Sequence, residues 1–171
     1  LIVAGSNQYP GAAVMATMAA EAALRAGADY LTVFAPEKVA WTINTYLPDV
    51  ITVKVKGGYL AGKDVKTILK FQPQYDVLLI GPGLSEKSIP FAKAVIAQWK
   101  KPKVIDADAL KAVDLRTLRN AIITPHRIEL QRVMKNSGIR HELALQKNLH
   151  DVVLLKKGPV SYIISTQEVA E

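Results

Sequence analysis

The sequence contains no cysteine among its 171 residues. This absence excludes a disulfide framework, a thiolate nucleophile and a metal site built on cysteine ligands. The apolar start of the chain carries neither a basic region nor a small-residue cleavage site, so no targeting signal is visible. We therefore take the cytoplasm as the expected location.

A long hydrophobic run is also absent. A membrane-spanning helix needs roughly 18 consecutive apolar residues, and the longest apolar segment, residues 12–26, is interrupted by Glu21 and Arg25. We expect no membrane association. Because 50% of the residues are hydrophobic and 22% are charged, the composition is that of a globular domain with a substantial core.

The formal net charge is +7, which would suit phosphate-bearing ligands or nucleic acid. The lysines, however, are scattered over predicted helix faces and turns and form no stripe interleaved with aromatic residues. Examples are Lys63, Lys66, Lys70, Lys100, Lys101 and Lys103. We interpret the charge as a solvated basic surface and expect no nucleic-acid partner.

Short apolar runs alternate with amphipathic segments, a rhythm typical of a parallel sheet covered by helices on both faces. We predict seven strands, at residues 1–5, 30–35, 50–55, 75–81, 102–107, 121–124 and 151–156, and a hairpin partner for the last of them at 161–166. Helices are predicted at residues 11–26, 36–46, 61–71, 87–100, 127–135 and 141–148. No repeat or linker interrupts residues 1–171, so we predict one α/β domain with a doubly wound, mainly parallel sheet.

In such sheets, ligands bind beyond the carboxyl ends of the strands, where the strand order reverses. Two glycine-containing turns follow predicted strands, at residues 5–13 (GSNQYPGAA) and 81–85 (GPGLS). Glycines let the backbone approach a ligand closely, and the helix that begins near Ala12 offers free N–H groups to an anion. The first turn is equally compatible with a purely structural role. The second alone would also be an ordinary turn, but its position directly after a central strand favours a site.

Two polar segments follow the next strands. Asp106 and Asp108 lie in DADAL, and we expect their side chains to point to opposite faces of an extended segment. One of them would bind a hydroxyl or a hydrated cation while the other caps the next helix, and we favour Asp108 as the cap. In TPHRIEL, Thr124 or His126 stands at the amino end of the helix that carries Glu129.

The fifth segment is LLKKGPVSYII, residues 154–164, in which Lys157 and Gly158 separate two β-type runs. A lysine at a strand end, followed by a glycine turn, can hold a phosphate. The same pattern also occurs in ordinary charged hairpins, and by itself it decides nothing.

Taken together and in order, the five segments resemble the NAD(P)H-hydrate dehydratase family, which belongs to the ribokinase-like group. The matching runs are G-S-x-x-Y-x-G-A, D-V-L-L-I-G-P-G-L, V-I-D-A-D-A-L, I-I-T-P-H-x-x-E and L-K-x-G, and they extend over nearly the whole chain. Each run is weakly specific, whereas their common order and spacing is quite specific.

The resemblance implies a nucleotide-dependent lyase that repairs hydrated NADH and NADPH with ADP or ATP as the phosphoryl donor and Mg²⁺ as the cofactor. It implies that Ala12, Gly83 and His126 line the substrate pocket, and we add Asp108 and Glu129 to that pocket as neighbours in the motifs. The turn formed by Lys157, Gly158, Pro159, Val160 and Ser161 would contact the adenylate of the donor. The family also leads us to expect a homo-oligomer and a fused or separate NAD(P)H-hydrate epimerase.

The chain departs from the family pattern in two places. Ile128 stands where the T-P-H-x-G-E motif has glycine. The G-[ST]-G-D segment with the family's catalytic aspartate does not occur in the 171 residues. We therefore name no catalytic residue, and we expect that residue to lie beyond Glu171 in a longer protein.

Three alternatives remain open at this point. The first is another ribokinase-like small-molecule kinase, for example one acting on a vitamin precursor. The second is a non-catalytic nucleotide-binding or scaffolding module, which the missing G-[ST]-G-D segment would favour. The third, a dehydrogenase of the classical NAD-binding type, is the weakest, because the first strand-to-helix turn lacks its glycine fingerprint.

Overall fold

Short runs of β-branched and aliphatic residues form the strands of one sheet in the computed structural model, which describes residues 1–170. The strands are β1 (Ile2–Val3), β2 (Thr32–Pro36), β3 (Ile51–Val55), β4 (Leu78–Ile80), β5 (Lys103–Ile105), β6 (Ala121–Ile123), β7 (Val152–Lys156), β8 (Tyr162–Ile164) and β9 (Val169–Ala170). All seven predicted strands and the hairpin partner are present, and β9 was not predicted.

The α-helices lie between the strands. They are α1 (Pro10–Arg25), α2 (Glu37–Tyr46), α3 (Val65–Leu69), α4 (Ile89–Gln98), α5 (Arg127–Asn136) and α6 (Leu145–Asn148). Short 3₁₀ helices span Gly62–Asp64, Gln72–Gln74, Glu86–Ser88, Ala107–Ala112 and Glu142–Ala144. Within residues 1–170, no helix combines the length and apolarity needed to cross a membrane.

The strand order is β3-β2-β1-β4-β5-β6-β7-β8-β9. Strands β1 to β7 pair in parallel, whereas β8 pairs with β7, and β9 with β8, in antiparallel fashion. Strands β2 and β3 follow on one side of β1, and strands β4 to β9 follow on its other side. The strand order therefore reverses between β1 and β4, which confirms the doubly wound α/β prediction and identifies the switch point.

Successive residues of a strand point to opposite faces of the sheet, and each face has its own core. Ile2 belongs to a cluster with buried side chains of α1 and α2, such as Ala13 and Val39. Val3 belongs to the larger cluster, which contains buried side chains of α3, α4 and α5, such as Phe91. Helices therefore cover both faces around β1.

One part of the sheet is less well covered. Leu79, Val104, Ile122 and Val153 are aligned across β4 to β7 on the same face. Leu79, Val104 and Val153 are partly exposed, and Ile122 is 45% exposed. This row of aligned apolar side chains is called the open face below.

Candidate functional site

The turns after β1 and β4 meet at the switch point. The N–H of Gly5 donates a hydrogen bond to the carbonyl oxygen of Pro82 at 2.8 Å. Gly83 has a φ of +67°, and a Cβ there would lie 2.6 Å from the carbonyl oxygen of Tyr9 and 3.0 Å from the Cβ of Ala12. Two of the predicted substrate-binding residues, Ala12 and Gly83, are thus in contact, and position 83 has no room for a side chain.

A second close approach joins the turns after β4 and β5. Gly81 has a φ of +138°, and a Cβ built on it would lie 1.7 Å from the carbonyl oxygen of Asp106. The N–H of Asp106 donates to the carbonyl oxygen of Ile80 at 3.1 Å. Glycine at position 81 therefore allows the backbone of Asp106 to reach its place at the sheet edge.

The carboxylate of Asp106 connects the ends of β5, β6 and β7. Its Oδ1 accepts a hydrogen bond from the hydroxyl of Thr124 at 2.8 Å and lies 2.8 Å from the Nζ of Lys157. Burial alone would raise the pKa of Asp106, but the hydrogen bonds from Lys157 and Thr124, together with the charge of Lys157, hold it below its ordinary value. Asp106 is therefore ionised at neutral pH.

His126 occupies the amino end of α5, as predicted. Its Nδ1 accepts a hydrogen bond from the N–H of Ile128 at 3.1 Å, and the Oε2 of Glu129 accepts one from the N–H of His126 at 2.9 Å. The two side chains form a reciprocal capping box, in which a histidine takes the usual place of serine or threonine. Ile128 stands where the family has glycine. It lies in the first turn of α5, and the residue is 71% exposed.

A cleft of about 330 Å³ lies between the 3₁₀ helix Ala107–Ala112 and α5. It is lined by Ala107, Asp108, Leu110, Lys111, His126, Ile128, Glu129 and Arg132. Three predicted substrate-binding residues, Asp108, His126 and Glu129, therefore share one cavity. Its walls carry both acidic and basic groups.

The prediction that Asp108 caps the following helix is wrong. Asp106 is the residue that precedes this 3₁₀ helix, and Asp108 lies inside it, because the backbone turns sharply at Ala107 with a φ of +51°. The expected extended geometry of residues 106–108 is wrong for the same reason. Asp108 instead accepts from the N–H of Ser85 at 3.0 Å and pairs with Lys111 at 2.8 Å, and the hydrogen bond from Lys111 to Asp108 raises the pKa of that lysine.

The turn after β7 runs along the amino end of α5. The N–H of Lys157 donates to the carbonyl oxygen of Pro125 at 2.9 Å, and Lys157 forms a parallel bridge with His126. The following residues, 158–161, are exposed. The predicted nucleotide-binding turn is therefore adjacent to the predicted substrate-binding histidine.

The predicted residues form a chain of contacts along one edge of the sheet and do not line one common cavity. Ala12, Gly83 and Lys157 lie outside the wall of the cleft that contains His126. Contacts between Gly81 and Asp106, and between Asp106 and Lys157, link the two ends of the edge. Sequence reasoning missed the pairing of Asp106 with Lys157, because the two residues are 51 positions apart.

Comparison with known proteins adds a family assignment. The family model described as NAD(P)H-hydrate dehydratase matches residues 1–170. The bifunctional NAD(P)H-hydrate repair enzyme of Methanothermobacter thermautotrophicus is 36% identical over 79% of this chain and 27% of its own length. The ATP-dependent (S)-NAD(P)H-hydrate dehydratase of Bos taurus is 30% identical over 99% of this chain and 56% of its own length.

Solved structures agree on the fold. A ribokinase-like superfamily protein of Enterococcus faecalis superposes with a TM-score of 0.75 at 24% identity, covering 98% of this chain and 60% of that protein. The ADP/ATP-dependent NAD(P)H-hydrate dehydratase of Bacillus subtilis, co-crystallised with ATP and Mg²⁺, superposes with a TM-score of 0.67 at 26% identity and covers 97% of this chain and 61% of that protein.

The first curated relatives extend well beyond the matched region, since the chain spans between 26% and 56% of their length. The family match over residues 1–170 includes both the switch point and the turn after β7. With its ribokinase-like α/β fold and a family match over residues 1–170, the chain belongs to the NAD(P)H-hydrate dehydratase family.

Proposed function

We propose that the protein containing this chain restores NADH and NADPH from their hydrated forms in a reaction driven by ADP or ATP. The terminal phosphoryl group of the donor would pass to the hydroxyl on the hydrated nicotinamide ring. The phosphate ester would then leave as inorganic phosphate with loss of a ring proton, which regenerates the NAD(P)H double bond. Positioning of the two reactants and stabilisation of negative charge would supply most of the rate enhancement.

The observation that carries this proposal is the adjacency of two predicted subsites at one sheet edge. His126, in the cleft with Asp108 and Glu129, is bridged by its backbone to Lys157, which opens the exposed turn 158–161. Transfer of a phosphoryl group requires its donor and acceptor to lie side by side. The adjacency of His126 and Lys157 supports neighbouring positions for the two reactants.

We assign the roles accordingly. Ala12 and Gly83 would contact the hydrated dinucleotide at the switch point, and the cleft residues Asp108, His126 and Glu129 would contact it further along the edge. The donor would bind at the turn formed by Lys157, Gly158, Pro159, Val160 and Ser161. No catalytic residue is assigned, because no G-[ST]-G-D segment occurs in the sequence.

Mg²⁺ would accompany the donor. Among residues 1–170, no group of three or more histidine or carboxylate side chains could hold a metal ion. Mg²⁺ commonly binds through one or two carboxylates together with substrate phosphates and water. We therefore propose that the phosphates of the donor provide most of its ligands.

The domain and partner assignments are part of the proposal. We propose that residues 1–171 form part of one ribokinase-like domain that acts in the cytoplasm within a homo-oligomer. An NAD(P)H-hydrate epimerase, fused or separate, would supply the substrate epimer. This last point is supported by the bifunctional repair enzymes among the relatives.

The test incubates the complete natural polypeptide with hydrated NADH, Mg²⁺ and either ADP or ATP, and follows the return of NADH absorbance. We expect recovery that depends on the donor. A His126→Asn variant keeps a side chain that can cap α5 but should lose most of the activity, whereas Leu143→Ala, at a position that is 95% exposed, should not. Folded protein that restores no NADH with either donor would contradict the proposal, and phosphorylation of another small molecule would favour the kinase alternative.

A further inference from the structure

We infer that Asp106 is a positioning residue: it holds the ammonium group of Lys157 at the boundary between the substrate cleft and the donor turn, ready for a phosphate of the donor. This inference rests on the proposed function and deepens it. It assigns Asp106 to Lys157 instead of to the hydroxyl or hydrated cation expected from the sequence, and it specifies which part of the donor Lys157 would recognise.

The backbone fixes all three members of the cluster. The N–H of Asp106 is bonded to Ile80, that of Thr124 to Ile105, and that of Lys157 to Pro125, at 3.1, 3.2 and 2.9 Å. Each of these hydrogen bonds joins neighbouring strand ends. The three side chains therefore start from backbone positions that the sheet determines.

The carboxylate of Asp106 is itself oriented before it meets the lysine. Thr124 donates its hydroxyl proton to Oδ1, the same oxygen that lies 2.8 Å from the Nζ of Lys157. A carboxylate held by a neighbouring hydroxyl loses rotational freedom, and the lysine that binds to it is restricted in turn. This arrangement reduces the side-chain entropy that a four-carbon lysine would otherwise lose on binding a ligand.

The ammonium group keeps capacity for a ligand. It has three N–H donors, and within residues 1–170 its hydrogen-bond partner is Asp106 alone. The side chain of Lys157 is 40% exposed and that of Asp106 is 32% exposed, so solvent and ligands can reach the pair. Two N–H groups remain for an anion, and a phosphate at the start of the turn 158–161 is the anion that the proposed reaction supplies.

The preceding lysine provides a contrast on the same strand. Lys156 lies 2.6 Å from Glu142 and stands over the ring of Tyr162. Neither contact is with a predicted site residue. The pair formed by Lys156 and Glu142 is therefore a control with the same charges, and both of its side chains are partly exposed.

The test is a double-mutant cycle in the complete natural polypeptide, with Asp106→Asn, Lys157→Gln and the double variant. Calorimetry measures binding of Mg²⁺-ADP, AMP and adenosine. We expect Asp106→Asn to weaken ADP binding roughly fivefold and Lys157→Gln to weaken it at least as much, while adenosine binding stays unchanged. In the Lys157→Gln background, Asp106→Asn should have almost no further effect, because the residue it positions is gone.

The kinetic readout is a rise in KM for the donor with little change in kcat. Thr124→Val, which removes only the orienting hydroxyl, should give a smaller rise in the same direction. Glu142→Gln and Lys156→Gln should leave donor binding unchanged. Far-UV circular dichroism and urea unfolding confirm that each variant is folded, and Thr124→Val serves in the cycle if Asp106→Asn does not fold.

The outcomes separate this inference from the proposed function. Additive effects of Asp106→Asn and Lys157→Gln, equal losses for ADP and adenosine, or unchanged ADP binding in Asp106→Asn would overturn the positioning role. Nucleotide binding that follows the expected cycle in a protein that restores no NADH would overturn the proposed reaction and leave the positioning role supported. A natural protein that binds no nucleotide would overturn both.

Discussion

Gly81 has no side chain, and this allows the turns after β4 and β5 to approach each other closely. A Cβ at this position would overlap the carbonyl group of Asp106, at 1.7 Å, and the backbone has a φ of +138°, which L-residues rarely adopt. Steric overlap and backbone strain therefore act together. Neither can relax without moving the end of β5, where Asp106 is held.

We predict that Gly81→Ala lowers the free energy of unfolding by about 3 kcal/mol or more. Urea denaturation measures the change. Gly62→Ala is the control, since a Cβ there meets nothing within 4 Å, and it should change stability by less than about 1 kcal/mol. Similar losses in the two variants would show that the contact between the turns after β4 and β5 is not tight.

The ionised state of Asp106 also has a consequence for stability. Hydrogen bonds from Lys157 and Thr124 place its folded-state pKa below the ordinary value of 3.8, even though burial acts in the opposite direction. The folded protein therefore binds fewer protons at this site than the unfolded chain does. The resulting contribution is fully present above pH 3.8 and is lost as the pH falls through the folded-state pKa.

We predict that Asp106→Asn flattens the acid side of the curve of unfolding free energy against pH. The difference between wild type and variant should be largest near neutral pH and should shrink in acid, as followed by urea denaturation at several pH values. A difference between Asp106→Asn and wild type that is constant with pH would contradict the assignment of the charge.

At the scale of whole elements, the sequence predicted those strands and helices whose pattern of apolar residues is regular. Buried runs such as residues 32–36 are recognisable as strands, because parallel strands covered on both sides are apolar along most of their length. The 3₁₀ helix Ala107–Ala112 was not predicted. The turn at Ala107 has a positive φ, and an alanine in the sequence gives no indication of that conformation. The role of Asp108 was misjudged as a direct result.

Ser137, directly after α5, bonds to the segment that follows this 3₁₀ helix. Ser137 is 4% exposed. Its hydroxyl donates to the carbonyl oxygen of Val133 at 2.7 Å and accepts from the N–H of Leu115 at 2.9 Å. Without the hydroxyl, a buried N–H group would be left without a partner.

We predict that Ser137→Ala lowers the free energy of unfolding by about 1–3 kcal/mol. Thr45→Ala is the matched control, because Thr45 also donates to a carbonyl four residues earlier but is exposed, and it should cost less than about 0.5 kcal/mol. Both are measured by urea denaturation. Equal effects would mean that the N–H of Leu115 finds another partner when the serine is replaced.

For the whole molecule, the topology explains why motifs far apart in the sequence meet. Parallel strands place their carboxyl ends at one edge, so turns that follow β1, β4, β5, β6 and β7 all arrive there. That convergence was predictable from the order of elements. The sequence could not predict that the site is divided into a switch-point contact and a separate cleft. This division depends on how closely individual turns approach one another, as at Gly81 and Gly83.

The open face is the other property of the whole molecule. Parallel sheets are nearly always covered on both sides, yet Ile122 of the open face is 45% exposed. Ile163 extends this face onto β8, because it pairs with Leu155, two residues after Val153 on β7, and it is 48% exposed. Contiguous exposed apolar side chains mark binding surfaces, whereas single exposed ones are an ordinary surface feature, and anilinonaphthalene sulfonate binds to exposed hydrophobic surface. We therefore predict that the 171-residue chain enhances the fluorescence of anilinonaphthalene sulfonate, and that the double variant Ile122→Thr, Ile163→Thr reduces the enhancement roughly by half.

The matched control is Leu143→Thr, because Leu143 is 95% exposed but lies outside the open face. It should leave the dye signal unchanged. Since Ile122 and Ile163 are half exposed, the double variant should keep its unfolding free energy within about 1 kcal/mol per site, so that loss of the signal reports on the surface and not on unfolding. Equal dye fluorescence in wild type and double variant would mean that the open face is covered in solution, for instance by a second copy of the chain, which a concentration series would reveal.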